Sequence, residues 1–305
     1  MNYLSTLQVA NLIKVTETTV KRWADEGEIR CHKTLGGHRK FVMKDIIRFA
    51  EEHAYPLAGA IAAPLSKRQA EILEFAVETR NYSKIAALFY EEALQGDRSG
   101  VYELLSYLCG HHISLATLGD EVIKAAMIKI GEEWQSGKLE INREHLASNA
   151  VIEALILLGP ELHRKPSNGL SAVCACAEGD HHQIGLLILA RALEAEGWRM
   201  RYLGANTPFA TLRSFVKSAR PDLICVSSTV IEKKKQLLEG LQSIGAAAHS
   251  YGATHLVGGF LLGDHAPGEF HCDYISASVH DAMAFIRDRF QLKPGPKRQR
   301  QEYAL

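Results

Sequence analysis

An aspartate and a histidine two positions apart, Asp180 and His182, are the residues of this chain whose types and spacing point most specifically to chemistry. The apolar run Ser171–Ala177 before them indicates a buried strand, and the leucines and alanines after them have helical spacing. A strand, a polar loop with glycines and a helix together form the place where α/β sheets bind ligands. A carboxylate can hold one nitrogen of an imidazole while the other nitrogen binds a metal. The segment Glu178–Gly185 therefore predicts a ligand-binding loop with a metal-coordinating histidine.

Two further short elements follow this loop, each after an apolar run that indicates a strand. The loop and the first element are separated by 41 residues, and the first and second elements are separated by 28 residues. Together the three elements resemble the motif set of cobalamin-binding domains. In chain order they are Asp180-x-His182-x-x-Gly185, Ser227-Ser228-Thr229 and Gly258-Gly259.

The resemblance implies that His182 is the lower axial ligand of cobalt and that Asp180 accepts the hydrogen bond of its other ring nitrogen. It also implies that the nucleotide tail of the cofactor enters a slot between the sheet and the helices. Two simpler interpretations remain. Asp180 is a good residue to cap a helix. Cys174, Cys176 and His181 could hold zinc, although no second Cys or His pair stands at zinc-finger spacing.

The residue types of the later elements suit the cofactor tail that the resemblance implies. The hydroxyls of Ser227 and Thr229 can hydrogen-bond the tail. Gly258 and Gly259 have no side chains, so the flat dimethylbenzimidazole can lie against the backbone there. These four residues and Gly185 complete the predicted cofactor-binding set of the carboxyl-terminal region.

Length and composition indicate a multidomain globular protein. The chain has 305 residues, of which 47% are hydrophobic and 23% are charged, and its formal net charge is zero. Two or three domains are expected at this length, and the net charge gives no global argument for binding nucleic acid. No apolar run reaches the roughly 18 residues of a membrane span, and no signal-peptide pattern opens the sequence. We therefore expect a cytoplasmic protein.

Residues 1–55 have the pattern of a winged helix-turn-helix. A capping-box spacing at Ser5–Gln8 begins one short helix, and Thr16 is placed to cap a second helix over residues 17–26. Two short helices joined this tightly form a helix-turn-helix, and Gly36-Gly37 indicates the turn of a following hairpin. The polar side chains of the second helix that remain available for DNA are Thr18, Thr19, Lys21 and Arg22.

This segment resembles the DNA-binding domain of the MerR family. The shared features are Trp23 near the end of the second helix, the wing Gly37–Phe41, and Asp45 at the start of the next helix. In that family the wing arginine contacts a DNA phosphate, so the resemblance assigns this contact to Arg39. Basic side chains bind DNA by neutralising phosphate and releasing counterions. For individual basic residues the alternative is an ordinary solvated surface.

Residues 56–65 are small, apolar and bounded by prolines, as expected of a linker. Over residues 66–165 the pattern is helical nearly throughout, which predicts a helical bundle. The resemblance to cobalamin-binding proteins implies that this bundle covers the upper face of the corrin. Helices are predicted at residues 66–79, 83–94, 98–110, 114–134 and 142–163.

Trp134, followed after nine residues by Glu144-His145, is the informative feature of the predicted bundle. It resembles the motif of the CarH/LitR family of light-sensing repressors, which combine the same three modules in the same order. The resemblance implies that Trp134 packs against the adenosyl group on the upper cobalt face, with Glu144 and His145 in the same pocket. The structural alternatives are bundle core for the tryptophan and a solvated helix start for the pair.

One position departs from that family. Its best-known members have a histidine directly after the tryptophan, which binds cobalt after illumination, and this chain has Gln135 there. An amide is a far weaker cobalt ligand than an imidazole. His145 or another histidine could take this role, or the upper face could keep water.

Residues 170–292 contain five strand-like runs that alternate with helical patterns, which predicts a doubly wound parallel sheet of the flavodoxin-like, Rossmann-like type. Residues 293–305 are basic and contain proline, so we expect a tail. The predicted fold class is therefore multidomain, α and α/β. The five predicted strands are Ser171–Ala177, Arg199–Leu203, Leu223–Val226, His255–Val257 and Tyr274–Ser276.

These features predict a transcriptional repressor rather than an enzyme. It would bind operator DNA as an adenosylcobalamin-dependent homo-oligomer, dimer to tetramer, and release the DNA when light breaks the cobalt–carbon bond. Two alternatives stay open. A cobalamin-sensing regulator indifferent to light is favoured by Gln135, and a corrinoid carrier for methyl transfer would share the bundle and the cobalamin domain but needs no helix-turn-helix.

Overall fold

The structure is a computed structural model that describes residues 3–13, 15–33, 37–53, 55, 67–162, 164–229, 234–259 and 266–292. The predicted linker and the predicted basic tail lie outside these residues. The chain divides into two compact units. One comprises Met1–Gly169 and Glu194–Arg199, and the other comprises Leu170–Leu193 and Met200–Leu305.

The amino-terminal part of the first unit combines three helices with a small antiparallel sheet of order β1-β3-β2. Leu4 of β1 and Cys31 of β2 both pair with Phe41 of β3, so Phe41 lies between these two residues in the middle strand. The strand β1 was not predicted from the sequence. The elements are β1 (Tyr3–Ser5), α1 (Thr6–Ile13), α2 (Glu17–Asp25), β2 (Cys31–Lys33), β3 (Arg39–Val42) and α3 (Met43–Glu52).

Helix α2 is fixed by its cap and by one buried face. The hydroxyl of Thr16 accepts the backbone N–H of Thr19 at 3.3 Å, which satisfies one of the unpaired N–H groups at the helix start. Val20 and Trp23 are buried on the inner face. The Trp23 ring lies 4.7 Å from the ring of Phe49, measured between centroids, so the tryptophan joins α2 to α3. This packing leaves the opposite face of α2 in solvent.

Residues 67–162 form the bundle, and hydrogen-bonding side chains begin several of its helices. Asn81 caps α5, Asp97 caps α6 and Ser114 caps α7, each by accepting a backbone N–H. These helices are as predicted to within a few residues at most ends. The elements are α4 (Lys67–Glu78), α5 (Tyr82–Gln95), α6 (Arg98–Gly110), α7 (Leu115–Thr117), α8 (Lys124–Gln135) and α9 (Ile141–Leu158).

The predicted helix 114–134 is not one regular α-helix. A π-helical turn over Leu118–Ile123 separates α7 from α8. Leu118, Val122 and Ile123 are all buried, and the wider turn keeps these side chains on the core side. The last predicted helix ends early, because Pro160 lies in a short 3-10 turn that follows Leu158.

The second unit contains a five-stranded sheet of order β5-β4-β6-β7-β8. The pairs β4–β6, β6–β7 and β7–β8 are parallel, and this strand order is the flavodoxin-like arrangement that was predicted. The strands are β4 (Ser171–Cys176), β5 (Arg199–Gly204), β6 (Leu223–Ser227), β7 (Thr254–Gly258) and β8 (Tyr274–Ser276). The helices are α10 (Ile184–Ala195), α11 (Phe209–Ala219), α12 (Lys234–His249), α13 (Pro267–Phe270) and α14 (Val279–Arg289).

The register of this sheet aligns the predicted site elements. Cys176 at the end of β4 pairs with Ser227, and Ser227 pairs with Gly258. All six residues of β4 are buried, as expected for a central parallel strand covered on both faces. The loops that leave β4, β6 and β7 therefore start side by side at one edge of the sheet. In the part of the chain that the structure describes, no helix is both long and apolar enough to cross a bilayer.

His255 on β7 is a fully buried histidine at the opposite end of its strand from Gly258. Its backbone N–H donates to Asp273 at 2.8 Å, and its Nδ1 lies 3.2 Å from the carbonyl oxygen of His271. Burial disfavours the charged imidazolium and lowers the pKa of His255 from 6.5 to about 4. On acidification His255 therefore binds a proton near pH 6.5 in the unfolded chain, but only near pH 4 in the folded chain. Stability is lost as the pH falls through this window.

We expect acidification from about pH 7 to about pH 4 to lower the unfolding free energy through His255 by on the order of 3 kcal/mol. His255→Gln cannot be protonated, so it should remove this part of the pH dependence in urea unfolding of the full chain. The exposed His280 offers a control, and His280→Gln should keep the wild-type dependence. Equal pH dependence in His255→Gln and the wild type would contradict the assignment.

Candidate functional site

The loop after β4 holds a buried carboxylate against an exposed imidazole. The side chain of Asp180 is only 2% exposed, and that of His182 is 62% exposed. Asp180 Oδ1 accepts the backbone N–H of His182 at 2.8 Å and lies 2.9 Å from His182 Nδ1. Asp180 Oδ2 accepts the backbone N–H of Thr229 from the neighbouring loop. Both carboxylate oxygens are therefore used, and one of them orients the imidazole.

These hydrogen bonds keep Asp180 ionised in spite of its burial. Burial acts to raise the pKa of the carboxyl group, but the bonds from the His182 ring and from the Thr229 and His182 amides outweigh it. The pKa of Asp180 therefore lies below its ordinary value. A carboxylate in this state fixes the proton of His182 on Nδ1, so Nε2 is the nitrogen that a metal would take.

The loops at this edge of the sheet are tied together by backbone hydrogen bonds. Ala177 donates to the carbonyl oxygen of Ser227 at 2.8 Å, and Ser228 donates to that of Gly258 at 2.8 Å. Gly259 has a φ of +144°, and a Cβ there would stand 1.7 Å from the carbonyl oxygen of Ser228. Only glycine fits at position 259, because the backbone of the neighbouring loop occupies the place of a side chain.

Most of the predicted tail-binding residues border this edge. Ser227 and Thr229 are half-buried at the end of β6, and Ser228 between them is fully buried. A Cβ on Gly185 would meet no atom within 4 Å, and one on Gly258 would meet only the carbonyl oxygen of Ser276, at 3.5 Å. Small residues beside open space suit a flat group lying against the backbone, so the residues present fit the cobalamin that the motif implies.

Two residues of this edge lie in loops that the sequence analysis singled out, but they were given no role of their own. Asn206, in the loop after β5, accepts the backbone N–H of Gly179 at 2.8 Å through its side chain. Glu178 accepts the backbone N–H of Phe209 at 3.1 Å and the side-chain amide of Gln236 at 3.0 Å. The sequence predicts only that the loop 204–208 could touch the cofactor tail, and the partner of Asn206 lies 27 residues away. Among the described residues, no cluster of three or more His, Cys, Asp or Glu side chains could hold a metal ion, so the zinc alternative gains no support.

The first unit carries the other predicted cofactor residues. Trp134 lies in the last turn of α8, and its side chain is 42% exposed. Glu144 and His145 lie in the first turns of α9, where Glu144 Oε2 is 3.6 Å from His145 Nε2. Ser148 donates to Glu144 Oε1 at 2.7 Å, which holds this carboxylate in place. Trp134 and His145 therefore lie on exposed helix surface of the bundle, and Glu144 beside them is half-buried.

The predicted DNA-contacting residues lie on the exposed side of α2, but each cation has an acidic neighbour. Lys21 Nζ lies 3.7 Å from Glu17, and Arg22 Nε lies 3.9 Å from Glu26. Thr18 is exposed, while the hydroxyl of Thr19 lies 2.9 Å from that of Thr16. Ion pairs this exposed contribute little stability, so these side chains can exchange their partners for phosphate.

Arg39 forms a shorter ion pair than Lys21 and Arg22 do. Its Nη2 donates to both carboxylate oxygens of Asp25, at 2.5 and 2.7 Å, and its side chain is 20% exposed. The pair joins the end of α2 to the first residue of the wing strand β3. The hydrogen bond from Arg39 holds the pKa of Asp25 below its ordinary value. A phosphate contact by Arg39 therefore has to share or replace the carboxylate of Asp25.

Three family models match this chain. A B12 binding domain matches residues 170–283, a helix-turn-helix domain matches residues 3–54, and a further B12 binding domain family matches residues 85–158. The three matches fall on the sheet, on the amino-terminal helices and on the bundle, respectively.

The curated relatives include two repressors and a corrinoid protein. The HTH-type transcriptional repressor CarH of Myxococcus xanthus is 28% identical, over 80% of this chain and 89% of that protein. The repressor CarA of the same organism is 27% identical, over 72% of this chain and 74% of that protein. The trimethylamine corrinoid protein of Methanosarcina barkeri is 25% identical, over 53% of this chain and 76% of that protein.

One solved structure, the monomethylamine corrinoid protein of Methanosarcina barkeri, matches with a TM-score of 0.57. It covers 68% of this chain and 99% of that chain at 16% identity, which shows the fold alone. Fold and matched domains together define a cobalamin-binding protein with an amino-terminal helix-turn-helix. Within that class the similarity to CarA and CarH supports a protein of the CarH type, and the family resemblance predicted from the sequence is confirmed.

We expect Arg39→Gln to weaken binding to a mixed-sequence DNA duplex several helical turns long, because one phosphate loses its cation. The slope of log affinity against log salt should fall in magnitude by about one. Asp25→Asn removes the competing carboxylate, so its affinity should rise. Fluorescence anisotropy over a salt series measures both quantities.

Arg48 provides the matched control, since it also pairs with an aspartate, Asp45, at 3.3 Å. Arg48→Gln should leave the salt slope unchanged. If Arg39→Gln and Arg48→Gln gave the same slope as the wild type, the phosphate contact assigned to Arg39 would be wrong.

Proposed function

We propose that this chain is a B12-dependent transcriptional repressor that binds operator DNA when loaded with adenosylcobalamin and releases it after illumination. The similarity to CarA and CarH supports a B12-binding repressor, and the light response is the finer part of the proposal. His182 would hold cobalt from below, and Trp134, Glu144 and His145 would contact the upper group. When bound, adenosylcobalamin supplies a cobalt–carbon bond that light breaks.

The observation that carries the proposal is the Asp180–His182 pair, in a chain whose amino-terminal residues match a helix-turn-helix. The buried carboxylate holds Nδ1 while most of the ring stays exposed, and an axial ligand needs both properties. A role limited to capping a helix would not require an oriented imidazole. The two B12 binding domain matches supply the ligand class.

The exposure of Trp134 supports an upper-face contact. A tryptophan serving only as bundle core would be buried, as Trp23 and Trp198 are, whereas Trp134 is 42% exposed. Ile141 and Leu146 on α9 are also exposed apolar side chains. An exposed apolar surface on the bundle is suited to covering a ligand rather than to packing within the bundle.

The proposed effect of cofactor binding is assembly of the chain into oligomers. We infer that cofactor-bound chains associate as dimers and then tetramers, which brings several helix-turn-helix modules together on one DNA site. Linked modules bind more tightly than single ones because the second contact is intramolecular. Loss of the group held against Trp134 removes the interaction that favours the assembled state, so the equilibrium shifts back. A regulator of this kind works in the cytoplasm and carries out no turnover.

Two alternatives have specific support. Gln135 follows Trp134 where light-sensing relatives have a cobalt-binding histidine, which favours a cobalamin sensor indifferent to light. The 25% identity to trimethylamine corrinoid protein favours a carrier role, but that match covers only 53% of this chain. Transfer of a methyl group to or from the bound cofactor would establish the carrier role.

Size-exclusion chromatography of the adenosylcobalamin-loaded chain in darkness and after green light tests the proposal. We expect a large assembly in the dark that becomes smaller on illumination. Assembly that forms with the cofactor but ignores light would establish the light-indifferent sensor instead. No cofactor-driven assembly would exclude the switch.

Trp134→Ala should retain cobalamin through His182 but lose the dark assembly, because the bundle loses its tryptophan contact with the upper group. Ile128→Ala is the matched control, since Ile128 is an exposed apolar residue of the same helix. It should assemble as the wild type does. Equal assembly of both variants would remove Trp134 from the mechanism.

His145 is our candidate for the upper ligand after illumination, because Gln135 cannot fill that role well and the His145 side chain is 65% exposed. We expect His145→Ala to change the absorbance spectrum of the illuminated protein and to leave the dark spectrum unchanged. Gln135→Ala, which changes the residue directly after Trp134, should leave both spectra unchanged. An unaltered illuminated spectrum in His145→Ala would show that water or another histidine occupies the upper face.

A further inference from the structure

Asn206 holds the peptide segment that carries the Asp180–His182 pair from both sides. Its side-chain Oδ1 accepts the backbone N–H of Gly179 at 2.8 Å. Its own backbone N–H donates to the carbonyl oxygen of Asp180 at 2.8 Å. One residue of the loop after β5 therefore binds two consecutive residues of the loop after β4.

Apart from Asn206, the backbone of this segment is held by one bond, in which the N–H of Asp180 donates to the carbonyl oxygen of Ala177 at 3.0 Å. Gly179 has a φ of +85°, and a Cβ there would meet no atom within 4 Å, so packing does not restrain it. The hydrogen bonds of Asp180 to Thr229 and His182 fix its carboxylate, but neither they nor the bond to Ala177 involve the Gly179 N–H or the Asp180 carbonyl. The two bonds from Asn206 supply that restraint, and the direction of the His182 ring depends on it.

Asparagine is suited to this position by its backbone as well as its side chain. Asn206 has a φ of +47°, in the left-handed region that asparagine tolerates better than most residues. The next residue, Thr207, is buried, and its backbone N–H donates to the carbonyl oxygen of Cys176 at 3.1 Å. The loop is thus anchored to the end of β4 just beyond Asn206, which places the amide oxygen against Gly179.

We propose that Asn206 is a positioning residue for axial ligation, which sets the direction of His182 towards cobalt by clamping the Gly179–Asp180 peptide segment. This inference rests on the proposed function, in which His182 is the lower ligand. Asn206 does not touch the metal; it acts through the backbone of its partners. Removal of the Asn206 side chain should therefore change the ligation state of the cofactor while the fold is kept.

The test compares Asn206→Gly and Asn206→Asp in the full chain. Glycine keeps the left-handed backbone and the bond to Asp180 but removes the acceptor for Gly179, while aspartate keeps both. The probe is hydroxocobalamin, reduced to the cob(II)alamin state for electron paramagnetic resonance with isotope-labelled histidine in the protein. The splitting from the axial nitrogen then reports whether the ligand is a protein imidazole or the dimethylbenzimidazole of the cofactor.

For Asn206→Gly we expect a mixture of ligation states and about tenfold weaker cobalamin binding, within the range for partners that orient a metal ligand. Asn206→Asp should restore histidine ligation. Gln236→Ala is the control, because it removes a hydrogen bond to Glu178 at the same edge without touching Gly179 or Asp180. Thermal unfolding of each cofactor-free variant shows whether the fold is kept.

Full histidine ligation with wild-type affinity in Asn206→Gly would overturn the inference, as would loss of histidine ligation in a folded Asn206→Asp. If Asn206→Gly failed to fold, Asn206→Ala would replace it, because alanine also lacks the acceptor for the Gly179 N–H, and full histidine ligation in folded Asn206→Ala would overturn the inference. A wild-type protein without histidine ligation would instead contradict the proposed function. The two failures are therefore distinguishable.

Discussion

A buried carboxylate that accepts three N–H groups is the interaction on which the candidate site depends. Asp180 is removed from water, and the imidazole and amide of His182 and the amide of Thr229 stabilise its charge. An uncompensated charge in this position would be costly. The same hydrogen bonds that satisfy the carboxylate give the histidine its tautomer and direction. Folding and metal recognition are thus served by one set of contacts.

The parallel sheet makes this arrangement available. Parallel strands end at the same edge, so loops that are far apart in the sequence begin as neighbours. The loop after β4 meets the loop after β6 through Thr229 and the loop after β5 through Asn206. The loop after β6 in turn meets the one after β7 so closely that Gly259 admits no side chain. The site is therefore built mainly from backbone groups of adjoining loops.

The helix-turn-helix has a different electrostatic design. Its cations lie beside acidic residues, at Lys21, Arg22 and Arg39, and the whole chain has no net charge. Each of these ion pairs weakens the attraction of its cation for a DNA phosphate. Weak single modules suit a regulator that depends on assembly, because occupancy of DNA then follows the number of modules joined together. The proposed cofactor switch controls that number.

The sequence by itself determined the modules, the alternation of strands and helices, and the cobalamin motif, since these depend on local periodicity and on fixed spacings between strand ends. The comparisons confirm the family resemblance, the fold class and cobalamin as the ligand. The π-helical turn at Leu118–Ile123, the pairing of Arg39 with Asp25 and the clamp by Asn206 were decided only by the tertiary structure. The ion pair and the clamp join residues distant in the sequence, and the turn follows from packing against the bundle core. No local sequence pattern specifies which hydrogen-bond donor will pair with which acceptor once the helices and strands have packed.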